Sequence, residues 1–328
     1  MSGLRGPAAS VVDAALEVSI AGSFTVLGYQ ARRRMFGWAA PAEQSMAGRT
    51  VLVTGATSGL GRASAIALAE AGARVVVLGR DSQRTEAAAD QIRQATGNPA
   101  VECVVADLAD LGAVRRAAAD LRQRLDRLDA LINNAGALTH EHLVTVDGLE
   151  LTYQTHVVAP FVLVHEMLPL LRSTPGSRVV TVSSGGMYSE GLAVDRVQMA
   201  ADGYDGVTAY ARAKRAQVVL NTEWARRTTQ PPVFHAMHPG WADTPGVVDA
   251  LPTFHRITRP FLRTPEQGAD TIVWLAAAKQ PEQVNGLFWL DRKPRGTSYL
   301  PRTATQSAQA QLLWEKVRAD AAISDSAQ

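Results

Sequence analysis

The sequence predicts an α/β protein built on one doubly wound parallel sheet, three layers deep (α/β/α), as a single domain over residues 49–292. Three observations predict it. From Arg49 onward, short aliphatic runs alternate with helical stretches rich in Ala and Arg, the pattern of repeated strand–helix–strand units. The runs are almost continuously apolar, as strands buried on both faces are. The first of them passes directly into a glycine-rich turn and then a helix, which is how such sheets commonly open.

The expected strands are Thr50–Thr54, Arg74–Leu78, Val101–Val105, Ala130–Asn133, Arg178–Ser183, Val233–Met237 and Leu287–Leu290. The stretches Arg62–Ala71 and Arg84–Thr96 have helical length and run out near Gly72 and Gly97, as helix ends do. By the length prior, 328 residues would make two domains; the unbroken alternation argues for one sheet instead. Residues 1–48 are read as a helical extension and linker, the linker falling at 39–47. Residues 293–328 are read as a polar tail with one helix near Gln309–Ala322.

Composition excludes several classes. Hydrophobic residues make up 46% and charged residues 20%, an ordinary globular balance that excludes wholesale disorder. A single cysteine, Cys103, excludes an internal disulfide framework and a Cys-rich zinc module; inside a strand it reads as filler. A net charge of +2 gives no broad basic surface, so no nucleic-acid partner is expected.

The apolar stretch Val18–Ala31 is shorter than the roughly 18–20 residues a membrane span needs. It leads into Arg32-Arg33-Arg34 and then Met35-Phe36-Gly37-Trp38. The favoured reading is a helix packed on the protein's own surface; the other is peripheral contact with an anionic membrane. Asp13 and Glu17 interrupt the only segment resembling a signal peptide. The expected location is cytoplasmic, with a membrane-peripheral alternative.

The turn after the first strand reads Thr54-Gly55-Ala56-Thr57-Ser58-Gly59-Leu60-Gly61. Glycines 55, 59 and 61 permit a tight turn and close backbone approach, and the following helix offers unpaired N–H groups to an anion. Together these suit the pyrophosphate of a dinucleotide bound to a Rossmann-type sheet. A hydrolase elbow is disfavoured because Thr57, not Ser, takes its central position.

This turn, Asn133-Asn134-Ala135-Gly136 after the fourth strand, Ser184, and Tyr210-x-x-x-Lys214 occur in the order found in the short-chain dehydrogenase/reductase family, which the chain resembles over residues 49–292. Longer strings are similar to one vertebrate member: Ser183-Ser184-Gly185-Gly186-Met187, KRAQVV from Lys214, MHPGWADTPGV from Met237 and DRKP from Asp291. The glycine spacing does not fit the TGxxGxxG turn of epimerases and dehydratases on the same fold. The resemblance implies an oxidoreductase that moves hydride between a nicotinamide cofactor and a small carbonyl or alcohol.

By the same resemblance, Gly55, Ser58, Gly59, Leu60 and Gly61 cradle the pyrophosphate. Asp107 and Leu108 meet the adenine, Asn134 approaches the cofactor's middle, and Pro239, Gly240 and Thr244 face the nicotinamide. Gly79 stands where NAD-preferring members carry an acid, and Arg80 follows it. A guanidinium fork suits a 2′-phosphate, so NADP is expected over NAD. Asp81 is read as a helix cap, and Asp107 has the rival reading of a turn cap.

Tyr210 and Lys214 lie one turn apart on a helix expected over Thr208–Arg227. An ammonium beside a phenol favours the phenolate, so Lys214 is expected to draw the Tyr210 pKa down from about 10. The resemblance makes Tyr210 the acid or base, gives Lys214 the nicotinamide ribose, and has Ser184, rather than Ser183, orient the substrate oxygen. His156 falls where many members have an Asn serving a water-linked proton relay. A histidine in the relay, a buried structural histidine and a lost relay all remain open.

No metal is expected. His140-Glu141-His142 and His235-x-x-His238 are isolated pairs without a third ligand. Apolar residues of 241–263 (Val247, Val248, Leu251, Phe254, Ile257, Phe261), with Met187, Tyr188, Leu192 and Met199, suit an apolar substrate or merely pack a lid. The alternative function is a cofactor-binding redox sensor or scaffold with little catalysis. Homo-oligomers form in the family through the helix carrying Tyr210 and its neighbour.

Overall fold

The strands are β1 (Thr50–Thr54), β2 (Arg74–Gly79), β3 (Val101–Val105), β4 (Ala130–Asn133), β5 (Arg178–Val182), β6 (Val233–Met237), β7 (Leu287–Leu290) and β8 (Lys293–Pro294). They lie side by side as β3-β2-β1-β4-β5-β6-β7-β8, the first seven parallel and β8 antiparallel to β7. The computed structural model describes residues 7–39, 44–299 and 301–324. The chain winds outward from β1 to β3, then crosses back to start β4 on the other side of β1. That reversal makes the sheet doubly wound and opens a crevice at the carboxyl ends of β1 and β4.

Before the sheet come α1 (Pro7–Val18), α2 (Ile20–Phe24) and α3 (Val26–Phe36). Then follow α4 (Gly59–Glu70), α5 (Ser82–Thr96), α6 (Leu111–Arg124), α7 (Leu151–Tyr153), which runs through a π-turn (Gln154–Val158) into α8 (Ala159–Ser173), and α9 (Gly206–Arg227). The last four are α10 (Pro245–Ala250), α11 (Pro252–Thr258), α12 (Pro265–Ala277) and α13 (Ser307–Asp320).

Period-two alternation along the strands divides the core. Val51, Val53, Val75 and Val77 pack with α4, α5 and α12, whereas Leu52, Val76 and Leu78 pack with α6, α8 and α9. Helix starts follow local chemistry: Asp81, Asp110 and Asp205 accept backbone N–H groups at the starts of α5, α6 and α9, and Thr264 with Gln267 forms a capping box on α12. Gly97 ends α5 in the left-handed region (φ +68°).

Two local expectations need correction, and one strand was not foreseen. β5 stops at Val182, one residue short: Ser183 still donates its N–H to the Met237 carbonyl at 2.7 Å, and its hydroxyl turns inward to the Lys214 carbonyl at 2.9 Å. β8 went unforeseen: two residues carry no readable period, and Pro294 is tolerated there on an edge strand. Cys103 is half-buried rather than buried. Part of the expected linker, 40–43, lies outside the described residues; beyond it Met46 is buried and its N–H donates to the Ala71 carbonyl at 2.7 Å.

The described part of the extension packs on the rest of the molecule. Of the basic triplet, Arg32 is completely buried while Arg33 and Arg34 are exposed. Trp38 meets the Arg292 guanidinium, 5.0 Å from its ring centroid, and Phe36 lies 3.8 Å from the Lys293 ammonium. Among the described residues, no helix is long and apolar enough to cross a membrane.

The tail helix α13 joins the core. Trp314 is 3% exposed and lies 4.8 Å from the Trp224 ring on α9 and 4.9 Å from Phe161 on α8. Thus the chain covers with its own tail part of the α8–α9 face that the family resemblance would assign to pairing. Trp314→Ala should lower stability by about 3–5 kcal/mol, the usual cost of emptying a buried aromatic site. Urea denaturation checks this: the midpoint should fall at unchanged slope, and a loss below about 1 kcal/mol would show that the tail is only loosely attached.

Candidate active site

The crevice between β1 and β4 is lined by residues that leave no room for larger ones. Gly55 has φ +65°, and a Cβ there would come within 2.8 Å of the Ala135 backbone. A Cβ on Gly61 would lie 2.4 Å from the Gly55 carbonyl oxygen and 2.5 Å from Asn134 Nδ2. Asn134 Nδ2 donates to the Thr54 carbonyl at 2.9 Å, tying the two turns together. Ser58 caps α4 by its backbone and makes no side-chain capping bond, so first-turn N–H groups stay open to an anion. Thr244, the N-cap of α10, stands beside Gly59, and Leu60 packs against Gly268. The cradle therefore fits a dinucleotide: its shape needs glycine at 55 and 61, and its first-turn N–H groups carry no side-chain cap.

At the end of β2, a Cβ on Gly79 would stand 2.2 Å from Thr85 Oγ1 and 2.9 Å from Thr57 Cγ2. No acidic side chain fits there. Arg80 is exposed, and among the described residues its side chain has no ion-pair partner. Asp81 caps α5, its Oδ1 accepting the Arg84 N–H at 2.8 Å. Asp107 is exposed and accepts the Ala109 N–H at 2.9 Å, while Asp110 caps α6. Leu108 is buried beside it.

On the other side of the crevice, Ser184, Tyr210 and Lys214 come together. Ser184 caps the 3-10 turn Gly185–Ser189, accepting the Gly186 N–H at 3.2 Å, and its hydroxyl acts on the Tyr210 phenol. Lys214 is 3% exposed; its Nζ donates to the Val182 carbonyl at 2.9 Å and lies 5.3 Å from the centroid of the Tyr210 ring. Pro239 and Gly240 follow β6, with Gly240 at φ +75°.

The electrostatics differ from the sequence expectation. Burial pushes the Tyr210 phenol above its usual value, and the Ser184 hydroxyl pulls it only part of the way back. Burial also brings Lys214 down to about 7. The physical reason is that a lysine desolvated this strongly loses its proton well before a phenol titrates, so its charge is gone where Tyr210 would need it.

His156 sits in the π-turn, 1% exposed, its ring edge-on to Tyr210 at 5.2 Å. Its Nε2 lies 2.7 Å from the Ala137 carbonyl oxygen, and a Cβ on Gly136 would strike the ring at 2.2 Å. Burial, helped by the nearby Lys214 charge, lowers its pKa to about 3 against the weak opposing pull of Ala137.

Three other histidines serve the backbone: His140, His142 and His235 pair with the carbonyls of Ala250, Met199 and Pro281, while His255 meets the Asp243 carboxylate at 3.0 Å. Around the lid, Val248, Ile257 and Phe261 are exposed and Trp241 meets Phe254 at 5.3 Å. Met187 instead belongs to the core, wholly buried with Val218, Ala236 and Phe288. The sequence reading missed Phe24 and Arg263, both buried against these loops; the strings from Met237 and Asp291 were the available signal.

Comparison with known proteins places the chain. The short chain dehydrogenase family model matches residues 49–252. Dehydrogenase/reductase SDR family member 12 of Bos taurus, the vertebrate member whose strings the sequence resembles, is 40% identical over 271 residues, 82% of this chain and 84% of the relative. Human retinol dehydrogenase 14 is 35% identical over 294 residues, 82% and 85% of the two chains. The Pseudomonas aeruginosa RhlG/NADP active-site complex superposes with a TM-score of 0.61 at 27% identity, covering 74% of this chain and 94% of that one. The chain belongs to the short-chain dehydrogenase/reductase family, whose members are NAD(P)-dependent oxidoreductases.

A pH signature follows from Lys214. Its pKa is about 7 folded against the ordinary 10.5, so between those values the unfolded chain binds the extra proton and stability rises with pH. Denaturation midpoints measured from pH 7 to about 9.5 should climb in the native chain. They should flatten in Lys214→Met, and equal slopes in both would remove Lys214 as the source.

Proposed function

We propose that the protein is an NADP-dependent oxidoreductase acting on an apolar carbonyl/alcohol pair, with Tyr210 as acid in reduction and base in oxidation. The convergence of Ser184, Tyr210 and Lys214, in a sheet whose first strand ends in the glycine turn, carries the reading. Bound nicotinamide would supply or accept the hydride. Gly55, Ser58, Gly59, Leu60 and Gly61 would hold the pyrophosphate, with Asp107 and Leu108 at the adenine, Asn134 midway, and Pro239, Gly240 and Thr244 at the nicotinamide end. Ser184 orients the substrate oxygen toward the Tyr210 hydroxyl, and Lys214 holds the ribose beside it.

The preference for NADP rests on the filled space at Gly79 and the uncommitted guanidinium of Arg80. An apolar substrate is supported by the exposed apolar lid residues and by the name of the retinol dehydrogenase relative. For His156 the buried structural reading is the better supported. A histidine that titrates near 3, with Nε2 engaged by a backbone carbonyl, makes a poor proton carrier at neutral pH. A cofactor-binding sensor is the second reading, and His156 in place of Asn is the observation that favours it.

Purified protein, followed by NADPH oxidation against a panel of aliphatic and aromatic aldehydes and ketones, should show turnover. Tyr210→Phe should lower kcat by roughly 10²–10⁴-fold, the usual worth of a positioned acid, while NADPH still binds. Binding without turnover by the native chain would transfer the assignment to the sensor. Separately, Arg80→Ala should weaken NADPH binding about 10- to 100-fold, the cost of one charge-assisted contact, and leave NADH nearly unchanged. Fluorescence titration with both cofactors checks this, and equal losses would contradict the phosphate role.

A further inference from the structure

The last residue of α2 touches both loops that frame the reacting centre. Phe24 is 5% exposed, and its ring lies against Gly185, the residue after Ser184: a Cβ on Gly185 would come within 2.7 Å of Phe24 Cε2. The ring also packs edge-on to His238 at 4.6 Å and Trp241 at 6.1 Å. The Phe24 carbonyl accepts the Trp241 N–H at 2.8 Å and Arg263 Nε at 3.1 Å, and would lie 2.7 Å from a Cβ on Gly240. One residue of the extension thus contacts the Ser184 turn with its ring and the Pro239–Trp241 turn with its backbone.

Its position is fixed by buried charge. Arg263 forms a two-point pair with Asp291 at 2.6 and 3.0 Å and donates to the Pro239 carbonyl at 3.2 Å. Asp291 also receives Arg32 of α3 at 2.8 Å, and Arg32 donates to Asp13 of α1 at 2.7 Å and to the Ser23 carbonyl. Arg32, Arg263 and Asp291 are each no more than 1% exposed. Without Asp291 the buried Arg263 would keep backbone carbonyls but no carboxylate partner among the described residues, and the same Asp291 holds Arg32, so the extension docks through this buried cluster and Phe24 is set in place by it.

We infer that the N-terminal extension is part of the catalytic apparatus, with Phe24 a positioning residue that braces the Ser184 turn against the Pro239–Trp241 turn. The inference rests on the proposed function for its kinetic arm alone. A reaction that needs Ser184 and the nicotinamide-side turn in fixed relation is sensitive to small displacements: a shift near 1 Å can cost about 100-fold. A ring that merely filled space would contribute stability and nothing to turnover per folded molecule.

The test uses the full chain with Phe24→Ala, Phe24→Leu, Gly185→Ala and the double variant Phe24→Ala/Gly185→Ala. Phe24→Ala should lower kcat about 10- to 100-fold and leave NADPH binding within about threefold. Hydrogen exchange should accelerate in 184–189 and 239–244 but not in the 55–61 turn. Phe24→Leu should recover most of the rate. Gly185→Ala, which pushes a methyl into the ring, should also lose rate, and the loss should shrink when Phe24 is already Ala, a non-additivity expected only of groups in contact. Unchanged kcat, uniform faster exchange over all three turns, or strictly additive losses would each overturn the inference. If the native chain turns over no panel substrate, the proposed function fails while the exchange pattern still decides whether Phe24 braces the two turns.

Discussion

The structure depends on how the chain closes the gap where β1 and β4 part. Thr54 is the pin. Its hydroxyl accepts the N–H groups of Asn134 and Ala135, both at 3.0 Å, and donates to the Ile132 carbonyl at 3.3 Å. Asn134 returns a bond to the Thr54 carbonyl. These bonds pair backbone groups where the strands diverge, in a partly buried place. They also fix the distance between the glycine turn and the loop after β4. Gly55 then has to lie against Ala135, and Gly61 against Asn134. A larger residue at either position would force open the same joint that shapes the cofactor cradle.

The charge state of the reacting centre is set by burial more than by pairing. Lys214 has a carbonyl partner, not a carboxylate, so nothing compensates its desolvation and its pKa falls to about 7. Tyr210 moves the opposite way under the same influence. His156, deeper still, stays neutral through the physiological range. A site of this kind responds to any anion brought close, because in a desolvated setting each charge acts more strongly than in water. The Tyr–Lys spacing in sequence indicates which groups meet, whereas their proton affinities follow from how much water the folded chain excludes.

That difference separates what the sequence discloses from what it conceals. Alternating apolar runs revealed the seven parallel strands, since a strand buried on both faces leaves a direct compositional trace. The glycine turn and the Tyr210–Lys214 spacing were legible because their backbone demands or helical spacing are local, whereas Ser184 was singled out by the family resemblance alone. Asp81 as a cap was legible for the same reason. Arg32 was not: it pairs with a residue 259 positions away, and in sequence it is simply the first of three arginines. The role of Trp314 was hidden similarly, since a tail helix with one tryptophan looks like many exposed helices until Trp224 and Phe161 are placed beside it. Met187, read as pocket wall or as packing, lies in the core; composition cannot tell an apolar residue facing a substrate from one facing a strand.

The buried charges around Asp291 explain why the extension and the catalytic domain are best treated as one folding unit. Burial alone would raise the Asp291 carboxyl, yet Arg263 and Arg32 hold it well below the usual carboxylate range. At Asp13 the same opposition is resolved by Arg295 and Arg32. Such clusters gain little net energy, since desolvation consumes most of the attraction, but losing one partner typically costs about 3–5 kcal/mol. Their effect is therefore to make docking all-or-none rather than to add stability in proportion to the number of bonds. Gly185 and Gly240 show the other half of this bargain: each lacks a side chain where Phe24 or Arg263 approaches. The extension and the two active-site turns are complementary in both charge and volume, so a change on one side alters the shape of the other.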